Sequence, residues 1–384
     1  MSILFFADSH LQESAWTTRA VAGDAAFALE QIVTHAVTKK VSAVVGAGDL
    51  IDKQRNRAYP IREFFRQLDR LRDANIPFYF IQGQHDRDNP TWLSAHAHAT
   101  HLHGRHIMID GVTIYGMDWQ PTDRIHDEFA QIPVDTDILV SHQVWGEFMG
   151  GITTPEANFS DVPHVSTIFT GDLHVHKVFH TTGKTGQPLT VYSPGSTCRQ
   201  SIDEQPDKYF MIHADEHWMV GELKVRPTLD DVEITDDPTL DKYLSELPAR
   251  IEQLASESEH LPPHIRRPYL RVKYNAELHD AARRLEAACV DKVHLFLKET
   301  PKAKERLVVS APTTNVEVLT PTSLLRLAVD PEEDPRLFSV VSRFLAATNV
   351  DAELEALRQE WLRRDDVHQE IDGVECGSAQ EIGD

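Results

Sequence analysis

Five short segments of this sequence carry residue types that bind metals or move protons: Asp8-Ser9-His10, Gly48-Asp49-Leu50-Ile51-Asp52, Gly83-Gln84-His85-Asp86, Ser141-His142 and Gly171-Asp172-Leu173-His174-Val175-His176. A single Asp-x-His or Gly-Asp means little, because these residues are common at turns and helix caps. Five that each follow an apolar run mean more. The donors are carboxylate, imidazole and amide. The three cysteines, Cys198, Cys289 and Cys376, stand far apart with no CxxC pair, which argues against a disulfide framework or a thiolate zinc site. Nitrogen and oxygen donors of this kind suit manganese, iron or zinc. Two such cations about 3.5–4 Å apart, sharing one bridging carboxylate, clamp a phosphoryl group, polarise its oxygens and activate water at neutral pH. A neighbouring imidazole can protonate the departing alkoxide, so the chemistry needs no covalent nucleophile.

Such residues must be brought to one place, and the elements preceding them can do so. The apolar runs Ile3-Leu4-Phe5-Phe6, Ala43-Val44-Val45, Pro77-Phe78-Tyr79-Phe80-Ile81, Ile138-Leu139-Val140 and Thr167-Ile168-Phe169 read as strands. Helical spacing appears between them, in Ala25/Leu29/Ile32/Ala36 and in Ile61/Phe64/Leu68/Leu71 behind Pro60 at a first-turn position. Alternating strands and helices predict a layered α/β domain, whose loops leave the carboxyl edge of a sheet together.

Near Val225-Arg226-Pro227 the pattern gives way to the acidic stretch 230–237, which marks the exit from this domain. A small α/β unit follows: Leu270, Val272 and Tyr274 alternate as a strand, Leu278 to Cys289 reads as a helix, and Val293 to Leu297 as a returning strand. Beyond the connector Ala311-Pro312-Thr313-Thr314 come two amphipathic patterns, Leu337/Val340/Val341/Phe344 and Leu354/Leu357/Trp361, of the kind that folds back or docks on a partner. The expected organisation is residues 1–226 for the catalytic domain, 227–310 for a small cap, 311–364 for a linker with partner-binding helices, and 365–384 for an acidic flexible tail.

The formal net charge is −22. It argues against a surface that grips nucleic acid everywhere, since phosphate binding is driven by Lys and Arg. It does not exclude a nuclease: residues 365–384 hold seven acids and no Lys or Arg, and cations would offset the site carboxylates. The opening Met1-Ser2-Ile3-Leu4-Phe5-Phe6 reaches Asp8 too soon for a signal peptide or membrane span, so a cytoplasmic protein with no membrane association is expected.

The order D-x-H, G-D-x-x, G-Q-H-D, S-H and G-D-x-H resembles that of calcineurin-like metallophosphoesterases. The opening Ile3-Leu4-Phe5-Phe6-Ala7-Asp8-Ser9-His10-Leu11, the segment Tyr192-Ser193-Pro194-Gly195-Ser196 and the cap-like Arg267-Pro268-Tyr269-Leu270-Arg271-Val272 are similar to SbcD-type DNA repair exonuclease subunits. That resemblance covers roughly the first 220 residues. It implies a β-sandwich flanked by helices, with a cap domain and C-terminal helices. It also implies two divalent cations, most often Mn2+, held by Asp8, His10, Asp49 and His174 on one side and by Asp49, Gln84, His142 and Asp172 on the other. His85 would be the general acid, oriented by Asp52 or Asp86. DNA would be the substrate, a coiled-coil ATPase of the SbcC type the partner at residues 337–361, and a homodimer the assembly.

Two positions depart from the family pattern. Gln84 replaces Asn, which lengthens the amide arm by one methylene, and Asp172 stands where the first His of G-H-x-H is expected. Sliding that motif by two would instead pair His174 with His176, whereas the glycine-anchored register keeps Asp172. These departures leave two other readings in view, a phosphomonoesterase or cyclic-nucleotide phosphodiesterase, and a weakly active metal-binding scaffold. Other features read blandly. The histidines of Ala95–His103 are expected to face solvent on a helix end and connector without carboxylate companions, and Gly183-Lys184-Thr185-Gly186 reads as a hairpin turn. The basic runs 53–57 and 264–267 are candidate backbone contacts for DNA, although solvated surface is the commoner role. The helix from Arg62 to Arg72 is a candidate dimer surface.

Overall fold

The computed structural model describes residues 2–12, 22–52, 58–89, 91–149, 155–229, 232–278 and 280–300. All of these belong to one compact unit ending at Lys304. The basic run 53–57, the helices expected at 337–361 and the acidic tail lie outside the described residues.

Two six-stranded sheets form the core. The first contains β1 (Ser2–Phe6), β2 (Ala43–Ala47), β3 (Phe78–Ile81) and β4 (Ala99–His101) as parallel neighbours, with β11 (Lys208–Ala214) and β12 (His217–Leu223) added antiparallel beside β1. In the second, β6 (Val112–Gly116), β7 (Ile138–His142), β8 (Thr167–Gly171) and β10 (Pro188–Ser193) run parallel. It is flanked by antiparallel β5 (Arg105–Ile109) and β9 (Lys177–Thr182).

Side-chain alternation explains why the sheets stack. Along β1, Leu4 and Phe6 face α1 (Asp24–Lys39) and α2 (Ala58–Asp73), whereas Ile3 and Phe5 face the second sheet. Val44 of β2 and Phe78 and Phe80 of β3 join the helix side; Val45, Ile81, Val140 and Phe169 fill the space between sheets. The outer face of the second sheet is covered by Ile125 and Phe129 of α3 (Ile125–Phe129) and by Trp145 and Phe159. Both sides of each parallel sheet are therefore buried, which is why these strands read as continuous apolar runs. The predicted helices are present: Ala25, Leu29, Ile32 and Ala36 are buried on α1, as are Phe64, Leu68 and Leu71 on α2. The layered α/β sandwich expected from the sequence is the observed architecture.

The smaller unit is a parallel three-stranded sheet, β13 (Val232–Ile234), β14 (Tyr269–Asn275) and β15 (His294–Thr300), in that order. The predicted strand and helix are here as β14 and α6 (Ala281–Cys289), and the returning strand is β15, running parallel to β14. A 21-residue helix, α5 (Asp237–Glu257), was not anticipated; Asp236 caps it by accepting from Thr239 N. No helix among the described residues is long and apolar enough to cross a membrane. Cys198 and Cys289 are buried free thiols.

One surface expectation changes, and two other segments show how their side chains are engaged. The histidines of 95–103 are half-buried and individually bonded: His96 Nε2 lies 3.3 Å from Asp69, His98 Nε2 2.7 Å from Ile76 O, and His101 Nε2 2.9 Å from both oxygens of Asp118. His96 and His101 thus do have carboxylate companions, supplied by other elements. The run 264–267 turns partly inward, with Ile265 fully buried, Arg266 donating to Leu261 O and Arg267 to Val293 O. On α2, Arg66 pairs with Glu63, and Arg72 with Asp69 and Asp73. The segment 183–186 is the turn between β9 and β10, as expected.

Candidate metal centre

The parallel strands β1, β2, β3, β7 and β8 end on one edge of the sandwich, and each hands its chemistry-bearing residues to that edge. The loop after β1 lies along the loop after β2: Asp8 N donates to Gly48 O at 3.1 Å, His10 N to Asp49 O at 2.8 Å and Leu11 N to Leu50 O at 3.0 Å. The buried Asp86 carboxylate then ties the β2 and β3 loops together, accepting from Leu50 N and Gly83 N, each at 2.7 Å. Gly83 is required here, since a Cβ would stand 2.1 Å from Asp49 Oδ1. Asp8, His10, Asp49 and Asp172 all adopt left-handed backbone conformations, with φ between 37° and 79°. Such strain in non-glycine residues costs on the order of 1–3 kcal/mol each and gathers at functional sites.

Every residue expected to hold a cation is brought into this cluster. His142 Nε2 lies 3.3 Å from Asp49, 3.8 Å from Asp8 and 4.0 Å from Asp172. His10 Nε2 lies 3.6 Å from Asp49 and 3.9 Å from Asp8, and 3.2 Å from His174 Nε2, which is itself 3.8 Å from Asp8. Asp8, Asp49, His10 and His142 are buried; Asp172 and His174 reach towards solvent. Gln84 donates through Nε2 to Asp172 Oδ1 at 2.5 Å, so the two departures from the family pattern touch each other. His85 donates its backbone N–H to Asp49 Oδ1 at 2.8 Å, and its ring Nδ1 lies 3.1 Å from Asp52 Oδ1. Asp52, rather than Asp86, is therefore its side-chain companion. His176 turns away: its Nδ1 meets Ser193 O at 3.0 Å and its ring packs on Tyr209. Among the described residues it joins none of the three metal-competent groups, Asp8/His10/His174, Asp8/Asp49/His142 and His10/Asp52/His85.

The donor set fits divalent cations. Atoms each about 2.1 Å from one cation stand about 3.0–4.2 Å apart, for right-angle and opposite ligands respectively, and the separations above fall in that range. His142 Nδ1 lies 2.8 Å from Ala47 O and can only donate to it, which leaves Nε2 with its lone pair facing the carboxylates. That Nε2 and Gln84 Oε1 are both buried with no hydrogen-bond partner. Buried unsatisfied acceptors are rare, and together they mark a place prepared for a positive ion.

The electrostatics agree. Burial works against a charge on His142, yet Asp49, Asp8 and Asp172 hold its proton well above the usual imidazole range. Burial likewise opposes a charge on His174, which Glu204 and Asp8 nevertheless raise. Burial pushes Asp8 up, whereas Asp49, despite its burial, is pulled well down by His142 and His10. Burial and the charge of Asp49 push Asp86 up to about 7. The cluster is thus short of positive charge, and protons compete for the place a cation would take.

Glu204 was not singled out from sequence. It lies in the loop between β10 and β11, where Oε1 lies 2.7 Å from His174 Nδ1. Gly195 shows why Tyr192-Ser193-Pro194-Gly195-Ser196 lies so close: at φ 77°, a Cβ there would meet His176 N at 2.8 Å and His174 O at 3.0 Å. A cavity of about 890 Å³, lined by none of these centre residues, lies among Gln82, Arg87, Asp88, Arg105, Asp118 and Trp119, with the Arg87 guanidinium 5.3 Å from the Trp119 ring centre.

Comparison with known proteins agrees with this geometry. Residues 1–176 match the family described as calcineurin-like phosphoesterase. The chain is 30% identical over 228 residues to the DNA double-strand break repair protein Mre11 of Methanosarcina mazei, covering 55% of this chain and 35% of that protein. It is 30% identical over 226 residues to the Mre11 of Methanosarcina acetivorans, covering 55% and 36%. It is 27% identical over 233 residues to the uncharacterized metallophosphoesterase YhaO of Bacillus subtilis, covering 54% of each. The chain spans about a third of the length of the two Mre11 relatives.

Proposed function

Because residues 1–176 carry a calcineurin-like phosphoesterase domain, we propose that this chain is a two-metal phosphodiesterase that cleaves DNA. The observation carrying this reading is the convergence of Asp8, His10, Asp49, His142, Asp172 and His174 around the partnerless, buried His142 Nε2. Asp8, His10, Asp49 and His174 would hold one cation and Asp49, Gln84, His142 and Asp172 the other, with manganese the cation of choice for so oxygen-rich a set. Bound cations supply the charge that polarises a phosphoryl group and eases deprotonation of water.

The chain supplies the rest. His85 is 44% exposed at its side chain, so it can reach a substrate oxygen. The hydrogen bond its ring donates to Asp52 and the charge of Asp49 raise its pKa, which keeps the ring protonated and able to give a proton to the leaving alkoxide. Its backbone N–H on Asp49 fixes the proton donor relative to the shared carboxylate. DNA is favoured over a small phosphate ester by the relatives, named for double-strand break repair. Residues 337–361, outside the described residues, would dock an SbcC-type coiled-coil ATPase, and the protein would act as a homodimer.

The test is degradation of linear duplex DNA with and without added Mn2+. The parent should degrade it only with metal, and Asp49→Ala and His85→Ala should abolish cleavage. Unimpaired cleavage by both variants would overturn the assignment, and turnover of a chromogenic phosphate monoester far faster than DNA would move the activity to phosphomonoesters. A chain truncated before Asp334 should keep its metals and lose the ATPase.

A further inference from the structure

The Glu204 carboxylate is fully engaged. Oε1 lies 2.7 Å from His174 Nδ1, while Oε2 accepts from Ser196 Oγ at 2.8 Å and from Lys208 Nζ at 2.7 Å. Lys208 Nζ also donates to Ser196 Oγ at 2.7 Å. Lys208 and Ser196 are buried, and the Glu204 side chain is only 13% exposed. The buried Lys208 ammonium, 2.7 Å from Oε2, pairs with Glu204 as a carboxylate. A carboxylate can only accept. Nδ1 of His174 must then carry a proton, which makes Nε2, facing Asp8 and His10, the nitrogen that would meet a cation.

This exceeds what holding the chain together requires. His142, fully buried in the centre, has its Nδ1 tied only to a neutral carbonyl. His174 is fixed by an anion, which also makes its far nitrogen a stronger donor. The anion is anchored at both ends: Lys208 lies on β11, and Ser196 belongs to the segment whose Thr197 N donates to Asp8 O. The carboxylate behind His174 is therefore fixed to the same backbone that presents Asp8, its co-ligand.

We propose that Glu204, anchored by Lys208 and Ser196, is the positioning residue of the metal centre, setting the tautomer, orientation and donor strength of His174. The proposal rests on the metal-centre reading above. Glu204 touches neither substrate nor cation and acts through the imidazole.

The test must separate this role from that of a mere countercharge for buried Lys208. Mn2+ alone is titrated into the full-length parent, Glu204→Gln, and Glu204→Gln combined with Lys208→Met, with free manganese read by electron paramagnetic resonance and metal-free melting recorded in parallel. Glu204→Gln should weaken one of two sites by about 10- to 100-fold, the usual effect of losing such a supporting carboxylate, and leave the other unchanged. The double variant should regain metal-free stability and still bind weakly. Parent-like binding by Glu204→Gln, or affinity restored in the double variant, would overturn the proposal. A parent that binds no manganese would overturn the metal-centre reading as well, an outcome distinct from failure in the variants alone.

Discussion

Two clusters of buried charge lie in this molecule, and they are built on opposite plans. At the junction between α1 and the small unit, Arg226 bonds through all three nitrogens: Nε and one terminal nitrogen to Asp24, that terminal nitrogen also to Ala22 O, and the other to Arg267 O and towards His294 Nε2. The Tyr269 hydroxyl donates to the same Asp24 carboxylate. At the metal centre, by contrast, four residues take left-handed backbone angles, and His142 Nε2 and Gln84 Oε1 are buried without partners. A cluster whose charges are matched atom for atom completes the fold. One that leaves acceptors unmatched on a strained backbone lowers stability in order to hold something else. Burial and charge alone do not distinguish a structural cluster from a working one; satisfaction does.

The largest expected effect tests that contrast directly. Arg226→Met leaves Asp24 buried and unpaired, and should cost about 3–5 kcal/mol of unfolding free energy. Manganese binding by the folded fraction should not change. Asp49→Asn removes a carboxylate that raises its neighbours Asp8 and Asp86 but is itself held down by His142 and His10, so the two effects oppose each other and the metal-free protein should lose far less stability than Arg226→Met loses, while manganese binding is lost. Urea unfolding in chelator and in manganese measures both. If Asp49→Asn destabilised the metal-free fold as much as Arg226→Met, the two clusters would be of one kind.

A smaller effect is expected within the centre, where Gln84 and Asp172 touch. As ligands of the proposed second cation, together they would present two oxygens where the pattern this sequence resembles has an amide and an imidazole, and would favour manganese over the imidazole-preferring metals. Gln84→Asn combined with Asp172→His should shift the second site towards zinc over manganese on the order of tenfold, read by competitive titration of the two metals. An unchanged ratio would mean that this pair does not set the metal preference.

The contrast also separates what the sequence reveals from what it hides. Metal ligands must be of a few types, and in a parallel sheet they follow apolar runs within a few residues. The convergence of Asp8, Asp49, His85, His142 and His174 on one edge was therefore legible one segment at a time, as were α1 and α2 from their periodicity. The supporting groups come from afar: Glu204 lies 30 residues from His174 in a polar loop that nothing distinguishes, and Arg226 lies 202 residues from Asp24. The histidines of 95–103 were misread for the same reason, because Asp69 and Asp118 belong to other elements. Helix α5 was obscured by the acidic approach to it and by Pro248 within it, although Asp236 followed by Pro238 is a helix-start signal.

Acid should drive the two clusters in opposite directions. His294, at the junction, is held down to about 4 by its burial and by the charges of Arg226 and Arg267. A histidine whose folded pKa lies below its unfolded value of about 6.5 stabilises the fold above that value, and its contribution disappears as pH falls from about 6.5 to about 4. His142 and His174 are raised instead. Without metal, their contribution is complete below about pH 6.5 and is lost as pH rises through their higher folded values. Metal-free protein should thus gain stability from the centre on moving from pH 8 to 6.5. Between pH 6.5 and 4 it should lose on the order of 1 kcal/mol at the junction, after allowance for partial solvent screening. Replacing His294 by Gln should remove the acid-side loss and leave the gain between pH 8 and 6.5 untouched; an acid limb unchanged in that variant would show that the junction does not titrate through His294.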